Sequence, residues 1–404
     1  MKWIKNIEGH IPIKSWCAEI EPGAMEQAVN LAMHPVIRGH VALMPDCHVG
    51  YGMPIGGVIA CENAVIPNAV GVDIGCGMVA VETDCPAERL KIMKDRRAIL
   101  DIVKDMVPAG EGAAHKAEQE WDGFEKYLDS LSGGAAYEWP AKLDRKNLGT
   151  LGGGNHFIEL QVSEEGMLWL MIHSGSRNLG YKIASHYHKK ALRLNDEFHF
   201  AIPVKDLAFL PADSVPGLGY IRDMNFALKY ALENRRRMMA SFKNAVADIL
   251  GNVGFLREVN IHHNYAALEE YSGKQFWIHR KGATSAKPGE IGIIPGSMGT
   301  SSYIVRGLGN PESFTSCSHG AGRRMGRGEA SRSLSVEACD KAMEGIVFDR
   351  WNKFRSKWKK KGEKNLFDLS EAPLAYKDID EVIEAELDLA EPIVKLRPLG
   401  VVKG

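Results

Sequence analysis

DCHVGYGMPIGGVIACENAVIPNAVGVDIGCGMVAV, residues 46–81, decides the fold class: short apolar runs at Ile55–Ala60, Val65–Ile66 and Val79–Val81 alternate with Gly, Pro and Asn. Runs of that length broken by turn residues read as strands carrying loops at their ends. Upstream, Glu21 to Met33 reads as a short helix opened by Pro22, and Val41 to Met44 as a buried strand ending at Pro45. Downstream come two helical patterns, 86–106 and 114–131, then a strand pair, Leu148 to Val162 and Met167 to His173, with a Gly-rich turn at 152–154. Asn178 to Leu194 reads as a helix, and Tyr220 to Leu250 as one long helix with apolar residues every three or four positions. Strand-like pieces follow near 256–261, 275–280, 291–294 and 302–306, then helices near 335–348 and 376–390 and a short final strand. No repeat or Pro/Ser-rich linker divides the chain, and chemically suggestive residues are scattered from 46 to 403. The expectation is a single α+β domain over residues 1–404, its strand-end loops converging on one cleft.

Hydrophobic residues make up 45% of the 404 and charged residues 25%, which suits a folded globular chain. The N-terminus lacks a signal-peptide core, no stretch reaches membrane-spanning length, and seven cysteines form no disulfide framework. A cytoplasmic protein is expected. The net charge of −1 gives no general attraction for polyanions, so nucleic-acid contact must be local. Candidate patches are Arg235-Arg236-Arg237, Arg323-Arg324-x-x-Arg327, and the 350–364 run in which Trp351, Phe354 and Trp358 alternate with bases. Such a mixture suits base stacking plus phosphate contact, but a solvated helix face is the commoner explanation.

Gly71-Val72-Asp73-Ile74-Gly75-Cys76-Gly77 sets a carboxylate and a thiol three residues apart in a glycine-framed loop. Asp46-Cys47-His48, His156, His173 and the His262-His263 pair occupy similar strand-end positions. Thiolate, imidazole and carboxylate suffice for one or two divalent ions, although each residue alone is more often structural. Thiolate plus imidazole would by itself suggest zinc or iron, since manganese prefers oxygen. The 293–302 loop, IIPGSMGTSS, has the small residues needed for close approach to a phosphate or base but lacks a P-loop lysine. In Ser316-Cys317-Ser318-His319-Gly320-Ala321-Gly322-Arg323 the histidine could attack a nucleotide phosphate, with arginines holding the charge. Equally, the glycines could form a plain turn before a solvated helix start.

Ten ordered motifs, PDCHVGYG, GVDIGCG, GGGNHFIE, HSGSR, HHNYA, RKGA, IIPGSMG, SCSHGAGR, AYKDI and VVKG, run from about residue 40 to the final glycine. In this the sequence resembles the RtcB RNA ligases, most closely in length and motif style their compact bacterial branch. The resemblance implies a β-sandwich core surrounded by helices and two manganese ions bridged by Cys76, with Asp73 and His156 on one and His173 and His263 on the other. It implies GTP as cofactor, and His319 as the residue that becomes guanylylated, beside a family acidic residue at Asp46. Guanosine recognition would fall to Asn155, Phe157, Glu159, Ser297, Met298, Ser302, Tyr376 and Lys403, with Gly320, Ala321 and Gly322 near the phosphate or ribose. Arg177, Lys281, Arg323 and Arg327 would meet RNA phosphates. The implied reaction joins RNA 2′,3′-cyclic phosphate or 3′-phosphate ends to 5′-hydroxyl ends, in RNA repair or tRNA splicing, by a monomeric enzyme. Two departures stand out: Gly326-Arg327 where Ser-Arg is expected, and Gly75 where other members carry Asn. A phosphoesterase that opens cyclic ends without joining them would need the metals but not His319, and a non-catalytic RNA-binding protein would need neither.

Overall fold

A computed structural model describes residues 1–90, 92–131, 144–353 and 367–404. Residues 354–364 of the basic and aromatic run lie outside these. The described residues form two large sheets with helices packed around them, the mixed α and β composition expected. Six strands in the order Trp3–Lys5, Ile13–Ser15, Ile37–His48, Ile55–Cys61, Lys274–Lys281, Asn264–Tyr271 make one sheet, antiparallel except for the second and third. The other has seven antiparallel strands: Phe255–His262, Gly77–Pro86, Met167–Ser174, Phe157–Ser163, Ala390–Lys403, Ser302–Gly307 and Ile291–Ile294. Its two edge strands approach each other, so the sheet nearly closes.

Alternation along the seven-stranded sheet separates two cores. Met78, Ala80, Phe157 and Met171 turn into its concave side with Ile293, Ile304 and Leu396, whereas Val79, Val81, Ile158 and Leu170 turn outward. The outward face is covered by Met93–Met106 and by Val215–Leu250, which contributes Met238, Phe242 and Val246. Ser214 caps the long helix by accepting from Gly217 N, and Gly251 follows its last turn.

Several boundaries differ from the sequence reading for stated reasons. The strand thought to end at Pro45 continues to His48, because the pairing skips from Leu43↔Gly57 to His48↔Ile55 and the bulge accommodates a residue with no N–H. The last strand is long rather than short. Its Pro398 sits at a register shift, and its Pro392 pairs with Val305 beside another. Helices near 114–131, 335–348 and 376–390 shrink to Asp122–Asp129, Val336–Ala342 and Ile379–Ala385. Asn264–Tyr271 is a strand that the sequence reading lacked.

The proposed Arg235-Arg236-Arg237 contact patch is not one surface. Arg235 is fully buried, while Arg236 and Arg237 both pair with Glu233. Helical periodicity turns the first arginine inward, and its neighbours' charges are already neutralised locally.

Candidate active site

The bulged strand end carries Asp46, which is wholly buried. Its Oδ2 accepts two hydrogen bonds from His319, from the backbone N at 3.1 Å and from ring Nδ1 at 2.6 Å. Burial would raise the Asp46 pKa, but the facing His319 ring overrides it and holds the carboxylate below its usual value. With Nδ1–H donating to Asp46, the His319 Nε2 is left with its lone pair. Ring proximity carries the site onward: His319 lies 4.8 Å from His263 between centroids, and His263 lies 5.1 Å from His173.

Around Cys76 the donors face one another. Its Sγ is 3.2 Å from His173 Nε2 and 3.4 Å from His156 Nε2, and these three ligand atoms lie within 4.8 Å of each other. His263 Nε2 is 3.3 Å from His173 Nε2, and Asp73 Oδ2 is 3.1 Å from His156 Nε2. All three imidazoles are buried, and burial lowers each pKa, with neighbouring rings adding to the shift at His173 and His263. Burial thus favours the neutral form that metal coordination requires. His173 Nδ1–H donates to Asn155 O at 3.1 Å, which fixes the tautomer with Nε2 free to coordinate. Asp73 is driven down to about 2, because hydrogen bonding to His156 outweighs burial. The Cys76 thiol is pushed well up by burial and then by Asp73. One thiol, one carboxylate and three neutral imidazoles fit a divalent cation that displaces the thiol proton.

A cleft beside His319 is lined by Asn155, Phe157, Ser297, Met298, the 320–322 turn, Arg323, Arg327, Tyr376 and Lys403. The turn is tight for a reason: Gly322 has φ +73°, and a Cβ there would stand 2.4 Å from Asp46 O. On the Phe157 side of its strand, Glu159 is buried with Oε2 accepting from Gln161, and Oε1 has no partner among the described residues. Burial pushes Glu159 up to about 8. Ser302 Oγ accepts from Gln161 and from Gly296 N, while Ser297 bonds Thr300.

The four candidate phosphate contacts are placed differently. Arg177 sits over Gly152, with Nη1 donating to His156 Nδ1 at 3.0 Å. Arg323 and Arg327 reach the cleft and pair with Glu371 at 3.3 and 3.1 Å. Lys281 is buried, its Nζ donating to Tyr51 O and Asn68 O, and burial lowers it to about 7.

Glu371 escaped the sequence reading. It pairs with Lys403 at 3.0 Å as well as with both arginines, and accepts from the Tyr376 hydroxyl. Burial opposes its ionisation, yet Lys403 and the arginines hold it well below the carboxylate range. It thus gathers three cations at the cleft wall. Its position four residues before the AYKDI motif was the available signal.

The family described as "tRNA-splicing ligase RtcB" matches residues 27–404. The chain belongs to the RtcB family. The RNA-splicing ligase RtcB of Escherichia coli K12 is 38% identical over 413 aligned residues, covering 97% of each chain. The tRNA-splicing ligase RtcB of Aeropyrum pernix is 32% identical, covering 94% of this chain and 91% of its own. The RNA-splicing ligase RtcB of Mycobacterium tuberculosis is also 32% identical, covering 94% and 100%. Among the described residues, no helix of this RtcB chain is long and apolar enough to cross a membrane.

Proposed function

We propose that this RtcB-family enzyme, one catalytic domain over residues 1–404, joins RNA 2′,3′-cyclic phosphate or 3′-phosphate ends to 5′-hydroxyl ends using GTP and Mn²⁺. The observation that carries this reading is the Asp46–His319 pair set one imidazole away from the Cys76 cluster. A phosphoesterase needs no such oriented histidine, and a passive RNA-binding protein needs neither feature.

His319 Nε2 attacks the α-phosphorus of GTP, forming a P–N bond as pyrophosphate leaves. The ring becomes cationic, and the buried Asp46 carboxylate stabilises it. A cyclic RNA end is opened by water to a 3′-phosphate, which takes GMP from His319 as the P–N bond breaks. The 5′-hydroxyl then attacks the 3′-phosphorus, a phosphodiester forms and GMP departs. Two manganese ions, held by Cys76 with Asp73 and His156 to one side and His173 and His263 to the other, would neutralise phosphate charge and polarise oxygen throughout. The donors support a divalent cation; the family resemblance singles out manganese.

The unpartnered Glu159 Oε1 is the feature that favours guanine, whose N1–H and N2–H groups require an acceptor there. Asn155, Phe157, Ser297, Met298, Ser302 and Tyr376 complete the nucleoside pocket, with Lys403, whose ammonium lies 5.5 Å over the Phe157 ring. The 320–322 backbone flanks the phosphate. Arg177, Arg323 and Arg327 serve the RNA phosphates, Arg177 on releasing His156. Lys281 would join them on releasing Tyr51 O and Asn68 O. Seven free, buried cysteines suit a reducing cytoplasm.

Mass spectrometry of protein treated with GTP and Mn²⁺ tests the proposal. A GMP adduct on the 316–323 peptide, lost in H319A together with joining, is expected. Joining by H319A, or an adduct elsewhere, overturns it.

A further inference from the structure

The long helix Val215–Leu250 sends one guanidinium into the back of the ligand cluster. Arg235 is wholly buried. Its Nη1 donates to Gly75 O at 2.9 Å and to Ser174 O at 2.8 Å, and its Nε donates to Asn260 Oδ1 at 2.7 Å. Nη2 lies 3.2 Å from His262 Nδ1. Arginine only donates, so His262 Nδ1 is the acceptor, and its proton resides on Nε2. His262 Nδ1 is also 3.1 Å from Gly75 O, but that carbonyl is served by Arg235 instead.

Three of the four contacted residues adjoin a residue of the cluster: Gly75 precedes Cys76, Ser174 follows His173 and His262 precedes His263. Ser174 and His262 end the two strands that flank Gly77, with His262 opposite Gly77 and Gly77 opposite Ser174, and Gly75 lies in the turn that leads into Gly77. A rigid planar fork with four of its five N–H groups committed fixes the relative positions of three turns at once. Helix packing alone fixes strands only through apolar contact, which has no directional preference.

We propose that Arg235 is a positioning residue for the metal centre, holding the Cys76, His173 and His263 turns at the spacing that admits a cation pair. It touches neither substrate nor metal and acts through three main-chain or imidazole acceptors. The inference rests on the metal reading of the Cys76 cluster. Removing a partner that orients ligands in this way typically costs about 10–100-fold in metal affinity.

The test is Mn²⁺ titration of chelator-stripped full-length protein, with free Mn²⁺ counted by electron paramagnetic resonance and the bound ions examined for the exchange-coupled signal of a bridged pair. Wild type should take up two ions with a coupled signal. R235K keeps the charge but loses the fork, and should bind about 10–100-fold more weakly with the coupling altered or lost. A residue needed only for folding would lower the melting temperature while leaving the folded fraction with native affinity and coupling, and that result overturns the proposal. If R235K does not fold, N260A decides. It frees Nε of its anchor, so weakened binding with altered coupling supports the inference and unchanged binding with native coupling overturns it. Wild type that binds no manganese would instead sink the metal reading itself.

Discussion

Replacing Asp46 by Asn isolates the negative charge behind the proposed nucleophile, His319. Asparagine keeps one acceptor oxygen at nearly the same place, so His319 can still donate from Nδ1 and Nε2 stays free. What disappears is the charge facing the ring at 2.6 Å in a wholly buried setting. A hydrogen bond to a charged group contributes about 1.5–3 kcal/mol, roughly twice a neutral one. That charge matters most when Nε2 has bonded to phosphorus and the ring is cationic. Because asparagine retains the neutral bond, about half of that contribution, ~0.75–1.5 kcal/mol, is lost there, and at 1.36 kcal/mol per tenfold the guanylylation rate falls about 4- to 13-fold. Single-turnover transfer from α-labelled GTP, at saturating GTP and Mn²⁺, reads this step directly. Nucleotide binding should change little, because Asp46 does not line the cleft. A D46N rate within twofold of wild type would refute the assigned role, as would a loss confined to KM for GTP.

Three further outcomes follow from the geometry. C76A should fold but bind no exchange-coupled manganese pair, as measured by metal content after dialysis; retention of two ions per chain would contradict the ligand assignment. G322A must place a side chain at φ +73° and 2.4 Å from Asp46 O, so it should lose at least ~1–2 kcal/mol of stability from the backbone term and most GMP transfer, checked by urea melts and labelling. Glu386 is buried, accepts from Ser318 N and is pushed up to about 8 by burial, so the folded state binds its proton more tightly than the unfolded state. Its contribution is present below the unfolded carboxylate pKa near 4.3 and is lost as pH rises towards 8. The stability advantage of E386Q over wild type should therefore grow from pH 5 to 8, by up to about 1.4 kcal/mol per unit, and parallel urea-melt profiles would refute this.

The long helix was legible because apolar residues recur at 3.6 spacing for many turns, and the glycine-framed strands because turn residues punctuate them. Asn264–Tyr271 was not. NYAALEEY contains good helix formers, and only pairing with Lys274–Lys281 at the edge of a sheet makes it extended. The ligand-type residues could be picked out singly by their strand-end positions and a common cleft expected, but which of them meet there could not be read. Asp46 and His319 are 273 positions apart, and no local spacing links them, so the family resemblance alone brought them together. Arg235 was read as part of a surface patch, and Glu371 was missed, for another reason. A charge on a helix or in a loop normally signals solvent, and only tertiary packing shows these two turned inward.

His263 occupies the step between the two sheets: His262 ends a strand paired with Gly77, and Asn264 begins one paired with Lys281. Cys76 and His156 immediately precede strands of the seven-stranded sheet and His173 lies in one, whereas Asp46 lies in the six-stranded sheet. A chain in which only the seven-stranded sheet has formed would gather most of the ligand atoms but would have neither His319, which follows the Ser316–Ser318 strand, nor the Asp46 carboxylate that orients it. On the proposed function, nucleotide chemistry would therefore wait on the docking of both sheets, and a half-folded chain would not squander GTP.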